Sequence, residues 1–208
     1  MKSYLFIFFS IVAFGVKSQQ GGQSFTTSTF VPFISPDLTD VIGNPYLNEE
    51  WAFGTVITRT GTFDSLLLRY NVERQLLENR RGTHFLTFNR ATLRGFILGD
   101  ESDPREFRYI PQKDVNNSIG EGFVEVVKLG PESRELLVRH KKNLYRADYG
   151  PYSVQRRSEY RYEPTLLMWR KNKVKKVRLT QKFCRDTFGL SKTEVEDILL
   201  SKGISLNQ

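Results

Sequence analysis

The 208-residue chain has one cysteine, Cys184, and two histidines, His84 and His140. A lone thiol excludes an intrachain disulfide, so an exported form has to hold together by an ordinary core, which this length allows. Scarce imidazole and thiol leave almost nothing from which to build a zinc site or a histidine-activated nucleophile. No HExxH, CxxC, GxSxG or GxxxxGK[ST] string occurs. His84 shares a strand face with Leu86 and Phe88, and His140 ends a Leu136-x-Val138 alternation, so both read as strand histidines on partly buried faces. Cys184 lies on the apolar side of an expected helix and reads as a small buried hydrophobe. Carboxylate pairs need no rare residue. Glu49 and Glu50, however, are neighbours on a strand and point to opposite faces. Asp100, Glu101 and Asp103 share a loop that lacks the ligand ladder of a calcium site. No metal or other cofactor is expected.

The one long apolar run is Tyr4 to Val16, interrupted by Ser10 and Gly15. It is short for a membrane span of roughly 20 residues. With Lys2 before it and Val16-Lys17-Ser18 after it, it reads as a secretory signal over residues 1–18, a short N-terminal anchor being the alternative. No cysteine lies near the cleavage point, which excludes lipid attachment there. The expected location is the periplasm or the cell surface, with no membrane span left after cleavage. Residues 19–45, rich in Gln, Gly, Ser, Thr and Pro, read as an extended polar leader that Phe30, Phe33 and Ile34 can tack to the domain.

Residues 46–179 carry strand signals in quick succession, separated by Gly, Pro and Asn. Tyr46–Glu78 reads as a hairpin nucleus, with Trp51, Phe53 and Ile57 on one inward face and Leu66, Leu68, Tyr70 and Val72 on the other strand's, broken at Thr60-Gly61-Thr62. Phe123–Val127 is apolar on both faces, as a central strand is. Residues 135–146 read as one long strand. Links this short cannot hold crossover helices, so the sheet is expected to be an antiparallel meander, bent into a sandwich or an open barrel. Residues 180–208 switch to helical period. Phe183, Cys184, Thr187 and Phe188 share a face that Gly189 ends, and Ser191 and Glu194 form a capping box before a Val195/Ile198/Leu199 stripe. The fold class is therefore mainly β (α+β), with two short C-terminal helices packed on the domain. Asn116-Asn117-Ser118 fits a glycosylation sequon, which matters only in a eukaryotic secretory route.

Charge is distributed unevenly. Between Arg139 and Arg185 stand fifteen Lys or Arg against three acids, a net +12, while the rest of the chain after residue 18 is net −6. The candidate binding residues are Arg156, Arg157, Lys171, Lys173, Lys175, Lys176 and Arg178, with Tyr160, Tyr162 and Trp169 interleaved. Cations with aromatics suit a polyanion: an anionic glycan, lipid headgroups or nucleic acid, the last disfavoured for an exported chain. A plainer reading is that Lys171–Arg178 is the wet tip of a hairpin whose lysines guard an edge. No catalytic residue is assigned.

The stretches NPYLNEEWAFGTVITRTGTFDSLLLRYNVERQLLE, LRGFIL, EFRYI, GFVEVVKLG and KNKVKKVRLTQKFCRDTFGLSKTEVEDILLSKGIS resemble those of a group of uncharacterised exported proteins common in Bacteroidetes, with Tyr70-Asn71 the sharpest element. The resemblance implies an envelope setting, a β-meander and a helical tail, and it carries no activity. The expectation is a non-enzymatic binding or scaffold protein that meets an envelope protein or an anionic glycan or lipid surface. The alternatives are a glycan-acting hydrolase whose carboxylates converge only in the fold and a carrier of a small apolar ligand inside a barrel.

Overall fold

A computed structural model describes residues 30–32, 41–99, 102–147 and 157–206. The expected signal at 1–18, Asp100, Glu101 and Arg156 lie outside them. The fold is mainly β. Strands β3 (Ala52–Thr58), β4 (Thr62–Asn71), β5 (Leu76–Arg81) and β6 (His84–Phe88) make an antiparallel meander. The chain then returns to the free side of β3 as β7 (Leu93–Leu98), and β8 (Arg105–Ile110), β9 (Gly122–Leu129) and β10 (Arg134–Arg139) add outward from it. The hairpin of β13 (Thr165–Arg170) and β14 (Lys173–Lys176) extends this side, and β1 (Phe30–Pro32) lies against β6 at the opposite edge. The result is an eleven-stranded sheet with edges β1 and β14, not a closed barrel. A second sheet joins β11 (Lys142–Tyr145), β12 (Ser158–Tyr162) and β2 (Val41–Ile42), of which β12 and β2 run parallel, a departure from the all-antiparallel expectation. The segment read as a polar leader thus lends a strand to each sheet.

The large sheet curls over itself. In the sheet order β9 is four steps from β4, which in a flat sheet is roughly 19 Å. Yet the ring of Tyr70 on β4 lies 6.1 Å from that of Phe123 on β9 and 5.6 Å from that of Phe107 on β8. Phe96 stacks on Phe107 at 4.5 Å, and these rings fill the concave side of a sandwich-like fold. Gln75 fastens the curl, its Oε1 accepting from the Phe123 amide at 3.0 Å. Gly54 permits it, because a Cβ there would stand 2.2 Å from the Ile97 carbonyl oxygen, closer than any side chain tolerates.

Three local expectations change. On β3 the inward residues are Gly54, Val56 and Thr58, while Phe53 is 66% exposed and Ile57 37%. The inward set carries one large apolar side chain, so the W-F-I alternation on the other parity gave the stronger apolar signal. His84 is exposed at the β5–β6 turn, whereas His140 is fully buried. Residues 135–146 form two strands. β10 pairs with β13 at Arg139↔Thr165, and β11 pairs with β12 at Lys142↔Tyr162. Between β12 and β13 sits Pro164, which lacks the N–H that would continue the ladder, and opposite it the chain leaves one sheet for the other at His140-Lys141.

Helices α1 (Gln181–Phe188) and α2 (Lys192–Ser201) follow the expected signals closely. Thr180 caps α1 and Gly189 ends it at φ 70°, and the Ser191/Glu194 capping box is complete. Cys184, Phe188, Val195, Leu199 and Ile204 bury against Val127, Leu129, Leu136, Val138 and Leu166 of the sheet.

Candidate functional site

A buried polar cluster sits where the two sheets meet. Arg105 on β8 grips Glu125 on β9 through Nε to Oε1 at 2.9 Å and Nη2 to Oε2 at 2.8 Å. The Arg105 side chain is 14% exposed and Glu125 1%. His140 Nε2 lies 2.6 Å from Glu125 Oε2, and Nδ1 lies 2.6 Å from the Tyr162 hydroxyl on β12. Burial by itself raises the Glu125 carboxyl, but the hydrogen bonds from Arg105 and His140 outweigh it and hold the pKa down to about 2. Burial pushes the His140 imidazole below its ordinary value, with Glu125 opposing. Burial pushes the Tyr162 phenol well above its own, and the Glu125 charge adds to this.

An ionised Glu125 only accepts, so His140 Nε2 donates to it; burial favours the neutral imidazole, whose Nδ1 then accepts from the Tyr162 O–H. Both ring nitrogens are therefore committed within the protein. The cluster ties β8 and β9 of the large sheet to β12 of the small one, and Arg105 Nη1 extends it to Asn48 at 3.3 Å. The neighbouring segment is pinned as well: Arg69 stacks on Tyr46 at 3.6 Å and on Trp51 at 4.4 Å while pairing with buried Glu78 at 3.0 Å, and Lys142 donates to the Tyr46 carbonyl. Replacing Tyr162 by phenylalanine leaves His140 Nδ1 buried without a donor. The expected loss is about 1–3 kcal/mol in urea unfolding, with the fold retained.

The sequence-predicted binding residues fall into two groups. Lys171 and Asn172 make the β13–β14 turn at φ 48° and 61°. Lys173, Lys175, Lys176 and Arg178 are exposed on or just after edge strand β14, whose Val174 alone is buried. Trp169, paired with Val174 across the hairpin, is 37% exposed. The second group lies on the small sheet. Tyr160 gives its hydroxyl to Glu73 at 3.1 Å, Tyr162 belongs to the buried cluster, and Arg157 is exposed just before β12. Of these residues only Lys176 lines a cleft of about 410 Å³, together with Gln75, Arg139, His140, Lys141 and Glu163, and no member of the second group reaches it. The carboxylate of Glu163 is already occupied there by Asn143 at 2.7 Å and Tyr145 at 2.6 Å.

The Arg105–Glu125 pair was not among the predicted residues. Its one sequence signal is Glu125 interrupting the two-sided apolar run Phe123–Val127, where a carboxylate has to be buried and hence paired. Among the described residues no three His, Cys, Asp or Glu side chains gather as a metal set, and no helix is long and apolar enough to cross a membrane. Comparison of the chain with protein families, with curated proteins and with solved structures gave no match in any of the three.

Proposed function

We propose that this is a non-enzymatic binding module of the cell envelope, which presents the edge strand β14 to an anionic glycan or lipid surface. One observation carries the reading. Among the described residues, no carboxylate lies within 4.0 Å of a cation on Lys171, Lys173, Lys175, Lys176 or Arg178, although Arg69, Arg105, Arg108, Arg134 and Arg161 are all paired. Exposed and without a carboxylate partner, though Lys173 donates to the Lys113 carbonyl, these charges keep a strand edge from pairing with another chain and at the same time offer a row of donors to an anionic surface. The envelope setting rests on the signal reading of residues 1–18 and on the resemblance to exported Bacteroidetes proteins. Nothing favours a carrier, since aromatic rings occupy the concave side where a ligand would lie.

The test compares the full chain with a Lys173→Glu/Lys175→Glu/Lys176→Glu variant on vesicles containing anionic lipid and on an anionic polysaccharide, at graded salt. Wild type should bind one of the two, more weakly as salt rises, and the variant should bind at least tenfold more weakly with unchanged melting. Absent or salt-independent binding, or equal binding by the variant, removes the proposal.

A further inference from the structure

A second cationic site lies away from β14, in a part of the chain whose net charge gives no hint of it. Arg59, just after β3, Arg90, in the β6–β7 link, and Arg94 on β7 line one cleft of about 380 Å³ together with Tyr109 on β8 and Glu121 before β9. The topology assembles it. Because β7 returns beside β3, the Arg59 amide bonds the Thr92 carbonyl at 3.0 Å, which sets the end of β3 against the β6–β7 link. Arg90 is fixed from behind, its Nη2 donating to the Arg74 and Gln75 carbonyls at 3.1 and 3.3 Å. Neither Arg59 nor Arg94 has a carboxylate within 4.0 Å among the described residues, and both are exposed.

A fourth guanidinium, that of Arg139, lines the neighbouring cleft of about 410 Å³ and reaches this one through the backbone of Glu121. Arg139 Nη1 donates to the Ile119 and Glu121 carbonyls at 3.0 Å each, while its Nε and Nη2 are buried without an acceptor. That Nε/Nη2 edge is the one with which Arg105 grips Glu125. Burial depresses the Arg139 guanidinium, and the charge of Arg90 adds to the depression. The one carboxylate in the cleft, Glu121, is shared with the Tyr109 hydroxyl, which burial and this hydrogen bond push up. Like charges gathered around so little negative charge raise the local potential, and a bound counter-ion relieves it.

We infer that the Arg59/Arg90/Arg94 cleft binds a small oxyanion, a phosphate or sulfate group carried on a molecule of about sugar size. Planar guanidinium forks match the oxygens of a tetrahedral anion two at a time, which ammonium groups do not. Three arginines against Glu121 leave a lining of net +2, suited to a dianion. A cleft of this volume lies within the range of small-ligand pockets. The site is independent of the β14 edge.

The experiment is an amide-resolved NMR titration of the full chain with inorganic phosphate, with sulfate and with glucose 6-phosphate, each against sodium chloride of equal ionic strength. Saturable shifts confined to residues around Arg59, Arg94 and Tyr109 are expected, with glucose 6-phosphate binding more tightly than phosphate; equal affinities would overturn the sugar-sized part of the inference. Phosphate and sulfate arms separate the two anion chemistries. Arg59→Gln/Arg94→Gln, which touches only exposed side chains, should melt as wild type does and bind at least tenfold more weakly. The Lys173/Lys175/Lys176 charge-reversal variant should bind these anions normally. Shifts that follow chloride, fail to saturate or persist in the double glutamine variant overturn the inference, as does loss of binding in the β14 variant alone.

Discussion

A chain ending at Thr180 should fail to fold as a monomer. Cutting there removes Cys184, Phe188, Val195, Leu199 and Ile204, each at most 3% exposed, and uncovers Val127, Leu129, Leu136, Val138 and Leu166 on β9, β10 and β13. A buried side chain of this kind contributes about 1.5–3 kcal/mol, and a domain of this size is stable by only about 5–15 kcal/mol. Two short helices of 8 and 10 residues do not persist alone, so their stability comes from this docking. The expected readings are loss of the cooperative melt and association in sedimentation. The full-length variant Val195→Asp provides the control, because it puts an unpaired charge at a fully buried position and should cost several kcal/mol without shortening the chain. A truncated chain that melts cooperatively as a monomer would make the helices an accessory tail.

The helices were the most legible part of the sequence because their signals are local. A capping serine, a glutamate three residues on and a terminal glycine act within a single turn, and each is where the structure uses it. The β13–β14 hairpin and the central position of β9 were legible for related reasons: a polar turn pair, and an apolar run on both faces. What was not legible depends on which strands become neighbours. The parity of β3 is set by β7, which arrives from 35 or more residues later and packs against Gly54 and Val56, where the sequence shows little apolar character. The break at His140 depends on Pro164, which lies between β12 and β13 opposite it. The Arg59/Arg90/Arg94 cleft likewise exists only because β7 returns beside β3. The basic segment, legible as composition, is divided by the fold between an edge strand and a second sheet.

Replacing Glu125 by leucine should cost about 3–5 kcal/mol, the usual consequence of stranding one member of a buried ion pair. It leaves the Arg105 guanidinium, on a side chain 14% exposed, with the long hydrogen bond to Asn48 and no carboxylate, and it strips the acceptor from His140 Nε2. The double variant Arg105→Met/Glu125→Leu should recover more than half of the loss, because no buried charge remains and only the imidazole N–H is unpaired. The pH profile offers a second readout. Glu125 is held near 2 against an ordinary 4.5, so it contributes about 3 kcal/mol that is present above pH 4.5 and lost as the pH falls toward 2. His140 is depressed below its ordinary 6.5, so its neutral form adds stability that is present above pH 6.5 and fades below it. Glu78 acts in the opposite sense, because burial raises its carboxyl against the pull of Arg69, and this is why the informative quantity is a difference between variants. Subtracting the stability profile of Glu125→Leu from that of wild type should leave a step below pH 4.5, and subtracting that of His140→Gln should leave one that begins below pH 6.5. Flat difference profiles would mean that the imidazole does not bridge carboxylate and phenol in solution. The tie between the two sheets would then have to come from Arg69, Tyr46 and Lys142 instead.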